Sequence, residues 1–164
     1  MGKPFVNGHD PTSTLTTVRF FLMVILLMGL VGTAVELLLM EHTDGFLQLV
    51  PLSLIVVVLA VLCWVALKPG PLTMRVFQGT MLLVVLSGLV GCILHYQGNV
   101  EFELEMYPSL KGMELFWESI TGATPSLAPG MMITLGLVGL AYSYRHPRLG
   151  RSGVNHSGNQ GGKG

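Results

Sequence analysis

The sequence predicts an all-α integral membrane protein, and three observations lead to this fold class. The 164-residue chain is 51% hydrophobic and only 11% charged, with a mean hydropathy of +0.64. A soluble domain of this composition would lack the polar side chains needed to cover its apolar mass. Four apolar runs have the length of membrane spans, and acidic and basic residues gather at opposite ends of these runs.

The four apolar runs are predicted to be transmembrane helices at residues 20–40, 47–67, 76–95 and 127–144. Each run approaches the ~20 residues that cross a ~30 Å hydrocarbon core as an α-helix. Because lipid offers no hydrogen-bond partners to the backbone, each run must satisfy its own peptide groups as a helix. The sequence therefore predicts a four-helix transmembrane domain over residues 19–146.

The two ends of the chain are polar. Residues 1–18 contain helix breakers and a Ser/Thr cluster, so a short and mostly irregular segment is expected before the first span. The first apolar run is longer than a signal-peptide core and has no clear cleavage site, which favours its retention as a span. Residues 147–164 are rich in Gly, Ser and Asn and are predicted to be a disordered tail.

The distribution of charge predicts the orientation of the chain. Eight basic residues flank one set of span ends, and eight acidic residues flank the other. The basic set is Lys3, Arg19, Lys68, Arg75, Arg145, Arg148, Arg151 and Lys163, and the acidic set is Glu36, Glu41, Asp44, Glu101, Glu103, Glu105, Glu114 and Glu118. Because short basic loops stay in the cytoplasm, both termini are predicted to be cytoplasmic in a bacterial-type inner membrane.

The connections between the spans differ in length. The first two are short, so spans one and two, and spans two and three, are expected to pack as antiparallel neighbours. The third, residues 96–126, is an outer loop of about thirty residues. Apolar and acidic residues alternate over 100–106, which predicts a strand or an extended segment. After Pro108, apolar residues recur at helical spacing, which predicts an amphipathic helix at the outer interface with Trp117 at headgroup depth.

The tetrapeptide Gly-Leu-Val-Gly occurs three times, at residues 29–32, 88–91 and 136–139, each time inside a predicted span. Apolar helices built from few residue types repeat short strings by chance, which is one explanation. The other is that paired glycines let helix backbones approach closely, where lipid provides no hydrophobic drive between helices.

Four residues form a candidate metal site at the outer ends of the spans: Glu36, Glu41, His42 and His95. Glu36 is the sharpest of these, since a carboxylate inside a span is costly and should face the bundle or water. Imidazole and carboxylate ligands suit zinc and other divalent metals. Two alternatives stay open, namely a surface polar cluster and a haem held by His42 and His95 with glycines nearby.

The sequence shows no motif of a hydrolase, a nucleotide-driven pump or a nucleic-acid-binding protein. A non-enzymatic accessory or scaffold subunit of a membrane complex is predicted, in contact with lipid and with a membrane-protein partner or further copies of itself. The surface expected to dock a partner comprises Glu101, Glu103, Glu105, Phe116 and Trp117. The alternatives are an oligomeric cation or proton-coupled transporter that uses Glu36 and His95, and a haem-binding redox subunit.

Overall fold

The computed structural model describes residues 11–41, 45–122 and 129–149, and these residues form helices and turns with no strand. Residues 1–10 and 150–164 lie outside the described residues, whereas 11–18 of the predicted irregular segment are helical and 147–149 of the predicted disordered tail form a turn. The five α-helices are α1 (Pro11–Leu39), α2 (Phe46–Leu67), α3 (Pro71–Met106), α4 (Gly112–Thr121) and α5 (Gly130–Ser143), and a 3-10 turn follows at Pro147–Leu149. The all-helical prediction is confirmed.

Three of the helices are long and apolar enough to cross a membrane, namely α1, α2 and α3. The fourth predicted span, 127–144, corresponds to α5, which has only 14 residues. At 1.5 Å per residue this helix is about 21 Å long, shorter than a ~30 Å hydrocarbon core. The helix α1 also begins earlier than its predicted span, at Pro11, where a proline fits the first turn because its missing N–H needs no partner.

The helix α3 continues far beyond its predicted end at residue 95. It has 36 residues and is therefore about 54 Å long. The strand or extended segment predicted at 100–106 is wrong, because these residues are helical. The buried positions in this stretch are Asn99 and Glu103, which are four residues apart and so lie on one helical face. Because glutamates alternate with apolar residues in this stretch, the four-residue spacing of its buried positions is not visible in the local sequence pattern.

The helix α5 lies between α1 and α3, and α3 also packs against α2. The core contains side chains from all four of these helices, including Leu30, Val58, Phe77, Met81 and Leu135. The first two spans were expected to pack together, and α1 and α2 do touch, but only at few positions. Their short connection brings their ends together, but α5 provides α1 with its main partner.

The repeated glycines explain why α5 occupies this central place. A Cβ atom added at Gly88 would lie 2.8 Å from the backbone nitrogen of Ile133 and 2.9 Å from the carbonyl oxygen of Pro129. A Cβ at Gly136 would lie 2.8 Å from the carbonyl oxygen of Met81. Gly29 faces α5, Gly139 faces α3, and Gly91 faces Pro129 just before α5, each at close range, whereas Gly32 faces open space. Five of the six repeated glycines thus serve close helix packing.

At one end of the bundle, which we call the basic end, arginines bind the carbonyl groups that close α2 and α5. Arg19 of α1 donates to the carbonyl oxygens of Tyr144 and Arg145 at 3.4 and 3.2 Å. Arg148 donates to the carbonyl oxygen of Val65 at 3.2 Å. The last carbonyls of a helix carry partial negative charge, so guanidinium groups satisfy them and complement the helix dipole. These bonds connect α1, α2 and the segment after α5.

His146, next to this cluster, makes the basic end sensitive to pH. Burial of the imidazole, followed by the positive charges of Arg19 and Arg148, lowers the pKa of His146 below its usual 6.5. Its Nδ1 accepts a hydrogen bond from the backbone N–H of Arg148 at 3.3 Å, which requires that nitrogen to be unprotonated. Protonation therefore works against the folded arrangement.

We expect the stability of the purified protein to fall as the pH drops below about 6.5. The unfolded chain takes up the His146 proton first, so this stabilisation is complete above that pH and is lost as the pH falls toward the lowered pKa of the folded state. Thermal unfolding in detergent should be compared at about pH 7.5 and about pH 5. In His146→Gln the pH-dependent loss should be smaller, and an equal loss in both proteins would contradict this role.

Candidate functional site

A cavity of about 960 Å³ lies between α1, α2, α3 and α5. It is at the end where α1 finishes and α2 begins, which we call the acidic end. The cavity exists because α1 packs against α5 and α2 packs against α3, while α1 and α2 remain apart. Its walls are mostly apolar, with Leu54, Leu83, Leu86 and Met132 among them.

Proline also shapes the wall that α2 contributes. Pro51 lies inside α2 and lines the cavity together with Leu47. Because proline has no N–H group, the carbonyl oxygen of Leu47 has no helical donor at this position. The first turns of α2 therefore lack one regular intrahelical hydrogen bond.

The few polar side chains of the cavity include the two residues that the sequence predicted for a transporter, Glu36 and His95. Glu36 of α1 and His95 of α3 line it, as do Thr33, Gln48 and Ser87. Glu36 is exposed and His95 is half-buried. Two members of the predicted four-residue metal site thus meet at one cavity.

The other two predicted ligands do not join them in the described part of the chain. Glu41 follows the end of α1 in a left-handed conformation with φ of 50°, and it is exposed and outside the cavity lining. His42 lies outside the described residues. Within residues 11–41, 45–122 and 129–149, no group of three or more His, Cys, Asp or Glu side chains could hold a metal ion. The metal site and the haem pair that includes His42 remain predictions.

A second feature of the acidic end is a two-helix projection that we call the distal arm, formed by residues 96–106 of α3 and by α4. Gly112, with a positive φ of 60°, lies at the start of α4 where the chain turns back. The amide nitrogen of Asn99 donates to the carbonyl oxygen of Ser119 at 2.8 Å. The rings of Tyr96 and Phe116 also meet, with centroids 6.1 Å apart. These contacts fold α4 back onto α3.

The predicted partner-binding residues all belong to the distal arm but differ in exposure. Glu101, Glu105 and Trp117 are exposed, and Phe116 is exposed although it packs against Tyr96 and Trp117. Glu103 is only 9% exposed and lies on the buried face that carries Asn99. Glu103 therefore belongs to the packing of the arm and not to its open surface.

Sequence reasoning missed several residues of both features. Asn99 was not singled out, although it joins the two helices of the arm. Phe102, Tyr107 and Met113 add to the exposed apolar surface of the arm. One signal in the sequence could have found Asn99. If the helical spacing of the third span is continued through residues 96–106, Asn99 and Glu103 fall on one face.

No protein-family model, curated protein or solved structure matches this chain. Its class follows from its fold, which is that of a helical membrane protein with three helices able to cross a bilayer. The cavity and the distal arm are the features from which a function can be inferred.

Proposed function

We propose that this protein is a non-enzymatic accessory or scaffold subunit of a membrane complex and that it binds its partner through the distal arm. In this proposal α1, α2, α3 and α5 form four spans of a bacterial-type inner membrane, with both termini in the cytoplasm. The charge asymmetry of the sequence supports this orientation. The observation that carries the proposal is the apolar and aromatic surface that the distal arm leaves uncovered.

The length of α3 supports a position for the arm beyond the lipid. If Arg75 lies at the cytoplasmic surface, a ~30 Å hydrocarbon core is crossed about twenty residues later. Residues 96–106 then extend past it by about 16 Å at 1.5 Å per residue. Phe102 and Tyr107, at this far part of α3, would then lie beyond the acyl chains, while Phe116 and Trp117 lie closer to the lipid because Phe116 packs against Tyr96.

The surface of the arm has the composition of a protein interface. Phe102, Tyr107, Met113 and Trp117 are each between 46% and 69% exposed. Large exposed apolar patches often mark interaction sites, and aromatic residues are enriched among those that contribute most to binding. The exposed carboxylates of Glu101 and Glu105 would complement a basic partner.

We expect Trp117→Ala to reduce the amount of a co-purifying partner by about tenfold or more, because a tryptophan that anchors an interface often contributes about 2 kcal/mol. The measurement is purification from native membranes in mild detergent, followed by quantitative mass spectrometry. Phe21→Ala is a matched control, since Phe21 and Trp117 are each 58% exposed and Phe21 lies on α1 toward the basic end.

The partner should therefore be present with the unchanged protein and with Phe21→Ala, and be depleted with Trp117→Ala. Recovery of the chain alone under gentle conditions would count against the proposal. Equal recovery of one partner with both variants would place the docking surface elsewhere.

A second candidate function is that of an oligomeric cation or proton-coupled transporter. It is favoured by one observation, which is that Glu36 and His95 line the same cavity. It ranks second because the cavity walls are mostly apolar, and four helices rarely enclose a pathway unless chains associate. Ion flux into liposomes tests it, and Glu36→Gln should abolish flux if Glu36 is the site.

A further inference from the structure

We propose that the cavity between α1 and α2 binds a membrane lipid whose headgroup carries an ammonium group, with Glu36 as the counter-charge. This inference goes beyond partner docking, because it concerns a different surface and a different ligand. It depends on the membrane location of the helices and not on the distal arm.

The cavity is accessible to lipid from the side. The helices α1 and α2 contact each other at few positions, so the space between them is not closed by a helix interface. Large apolar side chains such as Val35, Leu38, Val56 and Leu59 are exposed on the same two helices, as lipid-facing residues are. In a bilayer the neighbours of such a gap are acyl chains, and an apolar volume of about 960 Å³ is large enough to admit them.

The polar and apolar groups of the cavity are arranged like one leaflet of a membrane. Glu36 lies in the last turn of α1, and Gln48 lies in the first turn of α2, so both are at the acidic end. Leu54 of α2 and Leu83 of α3 lie farther from that end along their helices and supply apolar wall. A ligand with a polar head and apolar chains fits this gradient, whereas a small hydrophilic ion would meet mostly hydrocarbon.

The charge of the cavity selects among lipids. Among the described residues that line it, Glu36 is the single carboxylate. An ionised carboxylate beside hydrocarbon is unfavourable, and a positively charged partner offsets that penalty. A headgroup ammonium can donate to Glu36, and the side-chain amide of Gln48 on the facing helix lines the same cavity. An anionic headgroup without an amine would instead be repelled by Glu36.

The test is competitive lipid retention by purified protein. Equal amounts of phosphatidylethanolamine and phosphatidylglycerol with identical acyl chains are added in detergent, and bound lipids are counted by native mass spectrometry. We expect the unchanged protein to retain phosphatidylethanolamine about tenfold better, the effect of one charge-assisted hydrogen bond. Glu36→Gln should bring the ratio close to one, and Glu41→Gln should leave it unchanged because Glu41 does not line the cavity.

A second variant tests the proposal by filling the cavity. Leu54→Trp adds bulk to the apolar wall, so it should lower the retention of both lipids while the protein stays folded by circular dichroism. Equal retention of the two lipids by the unchanged protein would overturn the proposal, as would a preference that survives Glu36→Gln. Retention of neither lipid would also overturn it.

The proposal of a lipid site and the proposal of a partner surface can be contradicted separately. Glu36→Gln should keep the co-purifying partner, and Trp117→Ala should keep the lipid preference. Loss of the partner alone therefore concerns the distal arm, and loss of the lipid preference alone concerns the cavity.

Discussion

Gly88→Ala is expected to lower the free energy of unfolding by about 1–3 kcal/mol, the usual range for an overpacked interior. The added methyl group would meet the backbone nitrogen of Ile133 at 2.8 Å and the carbonyl oxygen of Pro129 at 2.9 Å. Backbone atoms of α5 cannot rotate away as a side chain can, so the helices must separate. Separation would open contacts along the whole α3–α5 interface.

Gly79→Ala is the matched control, since Gly79 lies on the same helix, is exposed and has no atom within 4 Å of an added Cβ. Alanine is the better helix former by about 1 kcal/mol, so this change should be neutral or stabilising. Thermal unfolding in detergent, followed by circular dichroism, measures both variants. Equal melting temperatures for the two variants would show that the close α3–α5 approach does not hold in the protein.

The glycine repeats show how far the sequence leads toward the fold. Hydropathy located the apolar parts of α1, α2, α3 and α5, because apolar length is a property of each segment by itself. Gly29, Gly88 and Gly136 pointed to close packing, but not to which helices would meet. That choice depends on complementary surfaces, such as Leu135 over Gly29 and Ile133 over Gly88. The central place of α5, and the gap between α1 and α2 that results, could not be derived from short connections.

The distal arm shows where local patterns mislead. Glu101, Glu103 and Glu105 alternate with apolar residues, and period two is typical of a strand. The structure is helical there, with Asn99 and Glu103 on its buried face and Asn99 bonded to α4, which no local pattern reveals. Tertiary packing outweighs the unfavourable placement of carboxylates in the last turns of a helix.

The candidate site was predicted in part. Glu36 was predicted as a site residue because a carboxylate in a span is costly, and His95 because its predicted depth in the membrane matches that of Glu36. The structure brings these two to one cavity, while Glu41 stays outside it. Sequence alone gives the depth of a residue along its helix, but not the direction in which its side chain faces across the bundle. The cavity is therefore a finding of the structure.

The cavity and the distal arm are connected through α3. His95 lines the cavity, Tyr96 contacts Phe116 of α4, and Asn99 binds α4 one turn later. A displacement of α3 at the acidic end would therefore move side chains of both the cavity and the distal arm.

Asn99→Ala is expected to release α4 from α3. Asn99 is 2% exposed, and its amide donates to the carbonyl oxygen of Ser119 at 2.8 Å. Removing the donor leaves a buried acceptor without this bond, which costs about 1–3 kcal/mol. The helix α4 has only 10 residues, and isolated helices of that length are marginal in water, so it depends on its contacts with α3, of which this bond is one. Opening of the arm should rise by about tenfold or more, since each 1.4 kcal/mol is a factor of ten.

Hydrogen exchange of the amides in α4 measures this opening directly. Gln97→Ala is the matched control, because Gln97 is exposed on the same stretch of α3 and should leave exchange unchanged. Exchange in α2 should be equal in both variants, which separates local release from general unfolding. Protection of α4 that persists in Asn99→Ala would contradict the role of this bond. If exchange rises as expected, recovery of the partner should fall as it does with Trp117→Ala, because the docking surface requires both helices of the arm.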